Sequence, residues 1–152
     1  AGAQGTPGPT DPRRWARMLS AARLARLVDK PPAGAKPESV LRELKELQLF
    51  SGPGTLVLLT WEDLGQNFEL VSRVDGKDQA LGEGTDAAKA GLSSLLLTDS
   101  DAARASFVAH LRSPKADVKI GLFVQQIVWN GKDFKVTVKA AELPPKATEA
   151  TL

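Results

Sequence analysis

The sequence predicts an α+β fold: a ferredoxin-like two-layer sandwich in circularly permuted αββαββ order, preceded by an extra N-terminal helix. Three observations carry this expectation. Two stretches with helical spacing are each followed by two strand-sized runs, the second pair joined by a turn dipeptide, Asn130-Gly131. Four antiparallel strands covered on one face by two helices form two layers around a single core. The length of 152 residues suits one such core.

Residues 1–10 are Gly, Pro, Thr, Ala and Gln without apolar periodicity and are read as a flexible segment. Asp11-Pro12 then opens a helix, with Asp as N-cap and Pro at the first helical position. Trp15, Met18, Leu19 and Ala22 follow at helical spacing, with Arg13, Arg14, Arg17, Arg23 and Arg26 filling the remainder. The basic helix stops before Pro31-Pro32. Residues 11–36 therefore read as a helical arm and Pro-rich linker outside the main unit.

The α+β domain is expected over residues 37–143. Pro37-Glu38 starts a helix whose Val40, Leu41, Leu44 and Leu47 share a face, and Ser51-Gly52-Pro53-Gly54 ends it. The continuous apolar run 55–61 and the alternating run 68–75 read as an antiparallel hairpin. Residues 76–91 read as an exposed polar excursion, and Leu92, Leu95, Leu96 and Leu97 as a short helical turn. After the capping residues Thr98-Asp99-Ser100-Asp101, a helix carrying Ala103, Phe107, Val108 and Leu111 inward is expected to end near Ser113-Pro114.

Asn130-Gly131 gives the last hairpin its expected register, as the two central residues of a type I′ turn. That pairs Trp129 with Lys132, Ile127 with Phe134, Gln125 with Val136 and Phe123 with Val138 on one face. Val128 with Asp133, Gln126 with Lys135 and Leu122 with Lys139 form the other. Residues 144–152 read as a flexible tail.

Composition narrows the chemistry. With no Cys, thiol nucleophiles, disulfides and cysteine metal sites are excluded. His110 is the single histidine, which leaves few members for a catalytic triad or a multi-histidine metal site. Asp99-Ser100-Asp101 continues with Ala-Ala and fails the calcium-loop pattern, so helix capping is its reading. Glu62-Asp63 is ordinary turn chemistry, and Gly82-Glu83-Gly84 lacks the phosphate-loop Lys. Ser93, Ser94 and Ser106 have no nucleophile-elbow context. No catalytic, cofactor-binding or metal-ligating residue is therefore assigned, and no enzyme is expected.

The net charge of +2, from 20 basic and 18 acidic residues, is a small excess, so nucleic acid is not an expected partner. No apolar run reaches the ~20 residues of a membrane helix. A chain that begins without Met is read as processed or trimmed. Trp15, Met18, Leu19, Arg23 and Arg26 on the arm are the expected partner interface, with Trp15 as its anchor.

The stretch 39–61, SVLRELKELQLFSGPGTLVLLTW, and the stretch 101–138, with DAARASFVAHLRS followed by a strand pair ending in FKVTV, resemble the periplasmic part of PilN-class inner-membrane proteins. That family serves type IV pilus machines and has relatives in type II secretion. The resemblance covers residues 37–143 in pattern and order. The family's short cytoplasmic motif and membrane helix are absent from this sequence, and residues 76–97 form a longer excursion than the family pattern has.

The resemblance implies a non-catalytic domain that forms a homodimer or heterodimer with a related domain. It implies the periplasmic face of the inner membrane, with a membrane tether in the full-length protein; without it, a cytoplasmic location is the expectation. The alternative expectation is a ligand- or nucleic-acid-binding module using the sheet face or the basic helix.

Overall fold

Gly54–Trp61 is buried at all eight positions, which in a strand means that both faces are covered. That one strand organises the molecule. The computed structural model describes residues 12–34, 36–81 and 91–152. They form α1 (Pro12–Asp29), α2 (Pro37–Glu46), β1 (Gly54–Trp61), β2 (Phe68–Val74), β3 (Lys77–Leu81), β4 (Leu92–Leu97), α3 (Asp99–Arg104), β5 (Ser106–Leu111), β6 (Ile120–Trp129), β7 (Phe134–Leu143) and β8 (Glu149–Thr151). The strands build two antiparallel four-stranded sheets, β4-β1-β6-β7 and β3-β2-β5-β8.

Alternation along β1 divides the core. Val57, Leu59 and Trp61 pack with Phe68, Leu70, Ala109, Leu111, Leu122 and Leu143 between the sheets. Leu56 and Leu58 point the other way, into a second cluster with Leu92, Ile127, Met18, Ala21, Ala22, Ala25 and Leu44 of the helices. The α+β class therefore holds, and the first sheet carries α1 and α2 on one face. The single-sheet αββαββ order does not describe the chain. β1 and β2 do not pair; β1 lies between β4 and β6, while β2 belongs to the second sheet. A strand without a polar face needs cover on both faces, which the helices supply on one side of the first sheet and the second sheet on the other. β2, polar at Glu69 and Arg73, suits a sheet with one face outward.

Leu92–Leu97 is strand rather than helical turn, pairing Leu96 with Leu56 and Ser94 with Leu58. The helix expected to reach Ser113 stops at Arg104, and Ala105 is extended (φ −90°, ψ 143°). In Ser106–Leu111 it is the period of two that is satisfied: Phe107, Ala109 and Leu111 face the core. Six residues are too few for sequence spacing to separate the two periods. Part of the expected excursion is also strand. Asp75 (φ 52°) and Gly76 (φ 76°) form a two-residue turn with both φ positive, the I′ pattern, and it launches β3. Residues 82–90 lie outside the described residues.

In the β6–β7 hairpin the observed partners are Trp129 with Phe134, Ile127 with Val136, Gln125 with Val138 and Leu122 with Ala141. The central residues are Gly131-Lys132, not Asn130-Gly131. Gly131 alone has positive φ (95°), as a II′ turn needs. The Asn130 side-chain carbonyl accepts from the N–H groups of Lys132 (2.8 Å) and Asp133 (2.7 Å), which holds Asn130 outside the turn's centre. Moving the turn by one residue moves every pair by two. The faces expected from sequence are therefore kept while the partners change.

Two boundary expectations are corrected. α1 is not an arm: Met18, Ala21, Ala22 and Ala25 form its buried stripe, and the three small residues let the helix lie close on the sheet. The expected tail is tied down too. Glu149–Thr151 pairs with β5, the N–H groups of Leu111 and Leu152 bond to the carbonyls of Thr148 and Phe107, and Ala147, Ala150 and Leu152 pack on the core. Residues 1–10, expected to be flexible, lie outside the described residues.

Candidate functional site

α2 ends in a way that opens a groove. After the C-cap Leu47, Gln48 takes the left-handed conformation (φ 52°) that glycine usually supplies at this position. The reversal carries Leu49 and Phe50 back across the end of the first sheet. There they face Leu96 of β4, Trp129 of β6 and Phe134 of β7, around a groove of about 570 Å³ completed by Lys45, Gln48 and Ser51. Replacing Gln48 by Gly is expected to raise stability by about 1 kcal/mol, because it relieves the left-handed strain. A denaturant midpoint that stays or falls would contradict this account of the turn.

The floor is aromatic. The Phe134 ring lies 4.6 Å from that of Trp129 and 6.0 Å from that of Phe50, both tilted by about 40° in the usual aromatic manner. Leu96 is 46% exposed, unusual for a leucine in a sheet. The Trp61 indole N–H donates to the Gln66 carbonyl (3.0 Å), whereas Trp129 has no acceptor among the described residues. Among the described residues, one cation, Lys45, and no acid line the groove. Such a lining holds an apolar group and offers donors at its rim; it assembles no nucleophile with a base. Its volume is in the ordinary range for a small-molecule or side-chain site.

The residues expected to form the partner interface lie elsewhere. Met18 is buried beneath α1 and Leu19 packs partly against the same cluster. Arg26 stacks its guanidinium 5.3 Å from the Phe123 ring centroid. With Arg23 and Leu19 it borders a cleft of about 160 Å³ that also touches Thr60, Trp61 and Glu62. The fold thus gathers Leu19, Arg23 and Arg26 around this cleft, with Leu19 and Arg26 turned onto their own domain and Arg23 exposed at its border. Trp15 belongs to α1, and its side chain lies outside the described residues.

The other candidates serve structure. His110 lies on the outer face of the second sheet, opposite Glu69 on one neighbouring strand and Glu149 on the other. Beside it Arg112 pairs with Glu69, and Arg73 bonds to Asp78 (2.8 Å) and Glu149 (3.2 Å). Donating to the carboxylates of Glu149 and Asp78 holds the Arg73 guanidinium pKa above its ordinary value. Asp99 and Asp101 occupy the first turn of α3, where the Thr98 hydroxyl accepts from the Asp101 N–H (3.2 Å). Asp63 accepts from the Gly65 N–H (3.1 Å) within its turn.

Buried Ser93 accepts from the Leu70 N–H (3.0 Å) and so ties the two sheets together, while the Ser106 hydroxyl donates to the Arg73 carbonyl (3.2 Å). Gly82-Glu83-Gly84 lies outside the described residues. Among the described residues, no group of three His, Asp or Glu side chains is placed to hold a metal ion, and no helix is long and apolar enough to cross a membrane.

Sequence reasoning paired Trp129 with Lys132 and Phe134 with Ile127, read Leu96 in a helical turn, and gave Phe50 no role. The available signal was positional: Trp129 and Phe134 flank a turn at the tips of two ten-residue strands, where a core has already ended. Comparison with known proteins adds no relative: no family profile, curated protein or solved structure matches the chain.

Proposed function

We propose that the chain is a non-catalytic assembly domain that docks onto a second copy of itself or onto a related domain. The observation that carries this reading is the half-buried aromatic groove of Phe50, Leu96, Trp129 and Phe134 at one end of the first sheet. Aromatic side chains gathered in a concave patch are the usual anchors of protein interfaces. The helix-then-strand pattern that residues 39–61 share with PilN-class proteins supports placing such a domain at the periplasmic face of an inner membrane, in a pilus or secretion machine.

Size-exclusion chromatography with light scattering tests the reading. The chain is expected to associate with itself or with a candidate partner domain. Trp129→Ala together with Phe134→Ala is expected to weaken that association about tenfold or more. A chain that stays monomeric and ignores every partner domain offered would overturn the proposal. A second reading, a ligand-binding module, is supported by Lys45 and the Trp129 indole N–H at the groove rim. It expects an anionic naphthalene sulfonate to change Trp129 fluorescence, and no change up to saturation of the probe would remove it.

A further inference from the structure

β7 ends the first sheet, and among the described residues no strand pairs with its outer edge. Ten residues long, it is an unusually extended open edge. The Asn130 N–H donates to the Asp133 carbonyl (3.3 Å), so in the ladder that follows the odd-numbered residues of β7 bond to β6. The N–H and C=O groups of Phe134, Val136, Val138 and Ala140 therefore point away from the sheet.

Side chains along this edge divide sharply. Phe134, Val136 and Val138 are half-buried in the apolar cluster beneath the helices, which is not closed on this side. Lys135, Thr137 and Lys139 stand exposed on the opposite face. α1, which packs over β6 and β7, holds five arginines and a single acid, Asp29, at its far end. Lysines on an edge normally deter pairing with another strand. They deter a strand that brings lysines or apolar groups to those positions, and attract one that brings carboxylates.

We infer that the outer edge of β7 takes an extended segment of a partner protein in which apolar residues alternate with Asp or Glu. The segment adds a fifth strand to the first sheet. Its apolar residues continue the layer of Phe134, Val136 and Val138, and its acids face Lys135 and Lys139. An extended peptide fits this site better than nucleic acid does, because the open edge offers alternating donors and acceptors at strand spacing. This edge shares Phe134 with the groove, but the outward N–H and C=O groups and Lys135 and Lys139 lie outside it, so the charge exchange at the two lysines tests the edge alone.

The test is calorimetric titration of the full chain with a ten-residue capped peptide alternating Val and Glu, its counterpart alternating Val and Lys, and a single-stranded oligothymidylate. The Val/Glu peptide is expected to bind and to protect the amides of Val136 and Val138 from hydrogen exchange. The Val/Lys peptide is expected to bind at least about tenfold more weakly. Lys135→Glu with Lys139→Glu should exchange the two preferences. Val136→Pro removes an outward N–H without touching the β6 ladder, and should abolish binding.

Should the proline variant misfold, the charge exchange still decides. Equal binding of both peptides, no binding, or preferences that ignore the charge reversal would each overturn the inference. So would tight binding of the oligonucleotide alone. Protection of the same amides by raising protein concentration without peptide would instead assign the edge to a second copy of the chain.

Discussion

Gly91→Ala is expected to lower the stability of the fold by about 3 kcal/mol, measured as a fall in the denaturant midpoint with unchanged slope. Two penalties coincide at this position. Gly91 has φ 76°, a conformation that costs an L-residue about 1–2 kcal/mol. A Cβ there would also lie 2.4 Å from the Trp61 carbonyl oxygen, far inside contact distance.

Neither partner can yield easily. The Trp61 N–H donates to the Gly91 carbonyl (3.1 Å), so the clash falls on the join that aligns β4 against β1. Gly76→Ala is the control: its φ is also 76°, but a Cβ there meets open space. It should cost only about 1 kcal/mol. Equal losses at the two glycines would show that the carbonyl contact contributes nothing.

The second large effect concerns a polar pair in the layer beneath the helices. Gln125 is fully buried opposite Leu58 of β1, and its Nε2 donates to the Thr60 hydroxyl (3.0 Å). Thr60→Val keeps the shape and removes the partner. It leaves a buried amide with its donors and acceptor unmatched and should cost about 2–3 kcal/mol. Gln125→Leu alone leaves the Thr60 hydroxyl stranded and should cost about 1–2 kcal/mol.

The double variant Thr60→Val with Gln125→Leu should return to within about 1 kcal/mol of the original chain, because two apolar groups then meet. Simple addition of the two single losses would refute the pairing as the source of the cost. The pair also accounts for a feature of the central strands: a mid-core Gln in β6 is tolerated because β1 places a hydroxyl on the same face, two residues along from Leu58.

The groove and the open edge bear on one question. Both lie at the β6–β7 side of the first sheet, where the hairpin carries Trp129 and Phe134 to its tip and, among the described residues, no strand pairs with the outer edge of β7. The second sheet presents a different surface, on which Arg73, Asp78, Glu69, Arg112 and Glu149 meet in ion pairs. Charges already paired with one another have less to offer a partner. A docking surface is therefore to be sought on the first sheet, and the two proposals divide it between tip and edge.

How much of this could be read from the chain itself depends on the range of the interactions involved. Local chemistry was legible. The start of α2 at Pro37, the capping by Thr98, the strand character of Gly54–Trp61 and the division of faces in the β6–β7 hairpin all follow from neighbours a few residues apart. α2 itself ends at Glu46, ahead of the expected stop at Ser51-Gly52-Pro53-Gly54. The Asp75-Gly76 turn is equally local, yet the reading of residues 76–91 as an exposed excursion passes over it and over β3.

What only the tertiary structure decided is where a short apolar run finds its cover. Leu92–Leu97 and Ser106–Leu111 are each six residues long, and such runs satisfy helical and strand spacing alike until a neighbour supplies hydrogen bonds. β1 gives them to the first and β2 to the second. Likewise Met18, Ala21, Ala22 and Ala25 form a seam because a flat sheet accepts small residues that look featureless in a helix read alone.

The same holds at the C-terminus. Glu149–Thr151 becomes a strand through the free edge of β5, and nothing within those three residues requires it. The sequence by itself thus determined the elements with strong local chemistry and the faces they present. Pairing across long separations, which costs loop entropy and is repaid only by burial against a distant partner, determined the two sheets and the edge left open between them and solvent.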